Sequence, residues 1–119
     1  VVLRNVIKNF DELDIKKLQN NVQNAKKKIK RGNQAFSENI AFHRLLARAS
    51  KNHVFVIVVE AIMAVVADFL SRLEPDIDHS ARVVDVHENI LTAIIEHRSK
   101  DAIFFLEKDI QESKEWPLM

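Results

Sequence analysis

Apolar residues recur every three or four positions along most of this chain. Ile15, Leu18, Val22, Ala25 and Ile29 form one such stripe, with polar and charged residues between them. That spacing predicts an amphipathic helix. Acids in Asp11–Asp14 suit its start, where the helix dipole favours negative charge. The basic run Lys26–Arg31 suits its end. A second helix is predicted over Phe36–Ala49, and a short SKN joint follows it. A third is predicted over His53–Leu73, where VFVIVVEAIMAVVADFL is apolar almost all round. Such a helix is expected at the centre of a bundle, mostly buried. Glu60 and Asp68 interrupt it, so its apolar runs are too short for the about 20 residues a bilayer needs. Pro75 and the acids of EPDID end it. A fourth helix is predicted over Ser80–His97 and a fifth over Lys100–Ser113, with EWPLM as a tail. Val1–Phe10 reads as the end of a helix that began earlier, so the chain is expected to be part of a longer protein.

Composition narrows this picture. One Gly and two Pro in 119 residues leave little material for tight turns, which favours long helices over sheet. The expectation is one all-α domain over residues 1–119, an antiparallel bundle of about five to seven helices. Gly32 stands alone, so no glycine-rich phosphate cradle exists. With no Cys there is no thiol nucleophile and no thiolate metal site, which fits a reducing cytoplasm. A formal net charge of +1 gives no global attraction to nucleic acid or membrane. The Lys26–Arg31 run reads as a solvated helix end rather than a docking patch.

Candidate chemistry rests on a few polar residues in apolar company. No H-E-x-x-H occurs, because Leu91 stands where the second His is needed, and no Glu has a His three residues later. His53, His79 and His97 fall near helix ends. His87, by contrast, shares a stripe with Val83, Ile90 and Ile94, and Asp109 shares one with Ala102 and Phe105. A buried imidazole needs a partner for its nitrogens, and a buried carboxylate needs a partner or a metal. Arg98 marks the joint between helices four and five. His87 lies eleven residues before it and Asp109 eleven after, so in an antiparallel hairpin the two are level. Asn39 and His43, at i and i+4, share a face of the second helix. Two imidazoles, a carboxylate and an amide oxygen suit a divalent transition metal, and Zn, Ni and Mn all accept such donors. The same residues also suit a hydrogen-bonded core cluster without metal, and spacing alone leaves both open.

The stretch from Asn39 to Asn52 reads N-x-x-F-H-x-x-L-x-x-A-S-x-N. It resembles the D-x-x-F-H-x-x-[LI]-x-x-[AS]-[ST]-x-N signature of the FCD domain, the C-terminal effector-binding domain of FadR-type regulators in the GntR family. His87–Ala102 is similar to the family's H-x-x-[IL]-x-x-A-[IL]-x-x-x-[DN]-x-x-x-A pattern, with the later acid displaced by about three positions. The resemblance covers Asp11 to Ser113. It implies a homodimeric bacterial transcription regulator whose operator DNA is bound by an N-terminal winged-helix domain absent from this chain. It also implies a metal held by Asp, His, His and His, with a small organic acid beside it. Those positions become Asn39, His43, His87 and Asp109. The first Asp is Asn here and the last His is Asp, so the carboxylate has changed corners.

An effector carboxylate needs a planar cationic donor, and Arg44, Arg48, Arg72 and Arg82 are the candidates. Glu60 reads either as a cavity-lining acid or as a paired surface one. The leading expectation is thus a ligand-sensing and dimerisation module rather than an enzyme. The alternative is a structural dimerisation bundle without metal or effector. A metal-dependent hydrolase would need a general base that no spare carboxylate supplies. Dimerisation draws on the resemblance and on the apolar surplus in Val54–Leu70 and Ile103–Leu106.

Overall fold

In the computed structural model, residues 10–73, 76–96, 100–102 and 104 are described, with residues 70, 71 and 73 by backbone alone. Four helices follow one another: α1 (Glu12–Lys30), α2 (Phe36–Ala49), α3 (His53–Leu73) and α4 (Ile77–Ile95). No strand occurs among the described residues. The architecture is all-helical, as the apolar periodicity and scarce glycine imply.

Local chemistry sets each boundary. Asp11 caps α1: its Oδ1 accepts from the Asp14 amide at 2.8 Å, and Asp14 Oδ2 accepts from the Asp11 amide at 3.1 Å. This reciprocal box satisfies two amides that the helix leaves open at its start. Gly32, at φ 84°, ends α1; its amide bonds to the Ile29 carbonyl, and the Asn33 amide to the Lys28 carbonyl. Asn52 opens α3 by accepting from the Phe55 amide at 3.1 Å. Asp76 opens α4 by accepting from the His79 amide at 2.6 Å. That cap starts α4 at Ile77, three residues before the position expected from apolar spacing.

The packing order differs from the expectation drawn from hydropathy. α1 packs on α2 and α4, and α2 also packs on α3 and α4. The centre belongs to α4, where Val83, Val84, His87, Ile90, Leu91 and Ile94 are all buried. α1 buries Leu18, Val22 and Ala25, three members of its predicted stripe. Ala102 also reaches the core, at 0% exposure. α3, expected at the centre, lies instead on the outside, against α2. None of its described side chains is fully buried. Mean hydropathy tells how much apolar surface a helix carries, but not which neighbours share it. Among the described residues, no helix is long and apolar enough to cross a membrane.

Candidate functional site

His43 and His87 meet across the α2–α4 contact. Their ring centroids are 5.1 Å apart and their planes nearly perpendicular, at 86°. α2 brings His43 there because Ile40, Phe42 and Leu46, on the neighbouring positions, are buried against the rest of the bundle. α4 brings His87 there because Val83, Ile90 and Ile94 share its stripe. His87 is 1% exposed, while His43 is half-buried. Phe42 stacks flat on the His87 ring, with centroids 4.0 Å apart and planes 9° apart. The stack fixes the imidazole plane and covers one of its faces.

Asn39 lies one turn before His43 and is half-buried. Its Nδ2 donates to the Ser80 carbonyl at 3.4 Å, a long bond that ties α2 to α4. Donation through nitrogen leaves the amide oxygen as the group Asn39 can offer a ligand. Ser80 is a part of this frame that the sequence reading passed over as a mere helix start. It is 1% exposed, and its Oγ accepts from the Ala35 amide at 3.2 Å, in the core. Ala35 precedes α2 and has no capping side chain of its own. A serine on α4 thus satisfies the first free amide of α2 and sets the register between the helices that carry the two histidines. No local sequence signal reveals this, because Ala35 and Ser80 are 45 positions apart.

Two imidazoles that share one ion through bonds of about 2.0–2.1 Å have ring centroids roughly 4.5–5.5 Å apart. The His43–His87 spacing falls within that range. A complete site needs an anionic donor as well. Asp109, the carboxylate expected to supply it, lies outside the described residues. Among the described residues, no group of three or more His, Cys, Asp or Glu is gathered as a metal site requires.

The four candidate arginines divide between two kinds of place. Arg44 Nε lies 3.2 Å from Glu60 Oε2, and Arg48 Nη2 lies 3.0 Å from Glu60 Oε1. Both therefore bind α2 to α3 through one carboxylate, which resolves Glu60 as a paired acid. The Arg48 contact is a true hydrogen bond, whereas Arg44 Nε is enclosed and misaligned, so its attraction is electrostatic only. Arg44 adjoins His43 in sequence. Arg72, at the end of α3, pairs with Asp68 at 3.2 Å and is highly exposed. Arg82 is exposed on α4, five residues before His87.

The S-x-N part of the motif is also structural. Ser50 Oγ accepts from the Asn52 amide at 3.2 Å and donates to the Ala47 carbonyl at 2.5 Å. Lys51 between them adopts φ 59°, in the left-handed region. Its Nζ reaches Asp14 at 2.5 Å and Asp11 at 3.6 Å, tying the α2–α3 corner to the start of α1. A hydrogen bond to Asp14 raises the Lys51 pKa, and the backbone bond from Asp14 lowers that of Asp11.

Residues 1–104 match the FCD domain. The chain belongs to the FCD family. That assignment covers α1 to α4 and both histidines. FCD domains are regulatory parts of GntR-family transcription regulators and are not an enzyme family. No curated protein and no solved structure matches the chain significantly.

Proposed function

We propose that this FCD domain senses a small carboxylate effector at the His43–His87 contact, with a divalent transition metal as mediator. The observation that carries the proposal is the convergence of two imidazoles from different helices at a spacing one ion can bridge. His43 and His87 supply the nitrogen donors, Asp109 the anionic one, and Asn39 a weak amide oxygen or a held water. A bound metal would supply a Lewis-acidic point for the effector carboxylate. The sensing domain works as a homodimer, and operator DNA is bound by a separate winged-helix domain of the same regulator.

A second reading also has an observation in its favour. Phe42 covers one face of His87, and the Asn39 amide nitrogen is engaged with Ser80. Those contacts suit a polar core cluster in a dimerisation bundle without metal or effector. Elemental analysis and thermal melts with added Zn, Ni or Mn separate the two. In the metal reading the wild type takes up about one ion per chain, and excess metal raises its melting temperature, because binding stabilises only the folded state. His87→Ala then abolishes both effects. A wild type that takes up no metal and melts identically with and without it contradicts the metal reading and leaves the structural one.

A further inference from the structure

Six of the ten large hydrophobic side chains left exposed among the described residues belong to one helix, α3. They are Val54 (72%), Ile57 (66%), Val58 (48%), Ile62 (50%), Val65 (68%) and Phe69 (38%). The helix is two-faced. At 100° per residue, Val56, Val59, Met63, Val66 and Ala67 point to one side, and these are half-buried towards α2. Val54, Val58, Ala61 and Val65 point to the opposite side, flanked by Ile57, Ile62 and Phe69. The bundle covers the first face. Among the described residues beyond α4, Ala102 packs into the interior cluster rather than onto the outer face of α3.

We infer that the outer face of α3 is the surface on which a second copy of this chain docks, with the two α3 helices antiparallel about a two-fold axis near Ala61 and Ile62. This rests on the reading of the domain as a homodimer and assigns that dimer its interface. Three observations favour a second copy over any other occupant. The stripe is its own mirror in spacing. In an antiparallel pair centred between positions 61 and 62, Val54 is level with Phe69, Val58 with Val65 and Ala61 with Ile62, so these six residues meet one another, while Ile57 lies at the rim. A two-fold contact demands this self-complementarity. Charge is the second. The stripe has no ionic residue in its middle: Glu60 is turned to Arg44 and Arg48 of α2, and Asp68 pairs with Arg72 at the far end. An interface centre is depleted of charge in this way. Area is the third. Six large side chains exposed to this degree present on the order of 500 Å², in the upper part of the range a monomer leaves in its largest apolar patch and most of the roughly 800 Å² per partner of a standard interface.

The absence of cysteine makes the geometry directly testable. Ala61→Cys puts a lone thiol beside the axis, within the about 4.4–6.8 Å Cα separation a disulfide needs. Mild oxidation of the full chain should give a covalent dimer in high yield, whereas Gln19→Cys, on the exposed side of α1, should give none. Val58→Glu should raise the dimer dissociation constant at least about tenfold, as loss of a central anchor does, while its helical circular dichroism stays unchanged. Light scattering on the wild type separates the possible failures. A monomeric wild type overturns both the dimer and this interface. A dimer that is insensitive to Val58→Glu and that Ala61→Cys does not cross-link overturns the interface alone.

Discussion

Lys51 shows how much a single side chain can be asked to do. It sits at φ 59°, where a Cβ is unfavourable, and its ammonium holds both acids of the α1 cap. Lys51→Ala keeps the strain and loses the ion pairs, so it should lower stability in urea titrations. Lys51→Gly loses the ion pairs but relieves the strain, an effect of about 1 kcal/mol, so it should be the milder of the two. The reverse order would show that the corner is not strained. Asp11 gives a pH prediction. Its carboxyl is held below the ordinary 3.8 by the Asp14 backbone bond, then by Lys51. A depressed carboxyl stabilises the fold above its unfolded value, and that contribution is lost as pH falls through the folded one. The stability gap between wild type and Asp11→Ala should therefore be full near neutrality and close in acid below about pH 3.8. Thermal melts across that range measure it; a gap that widened in acid would reverse the sign.

Helices here are joined by polar bonds that reach across the core. Ser80→Ala removes the hydroxyl that accepts from the buried Ala35 amide, which should cost about 1–3 kcal/mol. The same change frees the register between α2 and α4, so a metal-dependent melting shift, where present, should weaken in Ser80→Ala while His43 and His87 remain. Urea unfolding and metal titration read the two effects separately. Helix α3 depends on Glu60 for its polar attachment to α2, with Arg44 and Arg48 as its two partners. Glu60→Gln leaves two neighbouring cations without their counter-charge. It should loosen α3 with a loss of about 1 kcal/mol or less, because the groups are partly solvated. At this scale the sequence was read well for helix ends and poorly for helix positions. His53–Leu73 emerges at the expected residues because the Asn52 cap acts locally, and Phe36–Ala49 does so although the Ala35 amide at its start is held by Ser80, 45 positions away. The outward placement of α3 does not follow from its own composition, since an apolar helix is equally content in a core or at an interface.

The domain as it stands should not bind duplex DNA in a sequence-specific way. Its net charge is only +1, and Lys26 and Lys28 of its basic run are already paired with Glu88 and Glu38. A sequence-specific gel shift at physiological salt would contradict this.

The sequence by itself determined the all-helical class, the boundaries of α2 and α3 and the FCD membership. These are legible because each rests on local periodicity, on caps, or on a motif whose residues sit at constant spacing. His87 is legible as an inward-facing residue, since a histidine within an apolar stripe has to turn inward with it; that it meets His43 there was decided by the tertiary structure. Tertiary structure alone decided that α4 is the central helix and α3 the outer one. It alone decided that Phe42 covers His87, that Ser80 caps α2 from α4, and that Arg44 and Arg48 share Glu60. Each joins residues remote in sequence, and burial is divided among neighbours by packing geometry, which no single helix encodes in its own pattern of apolar positions.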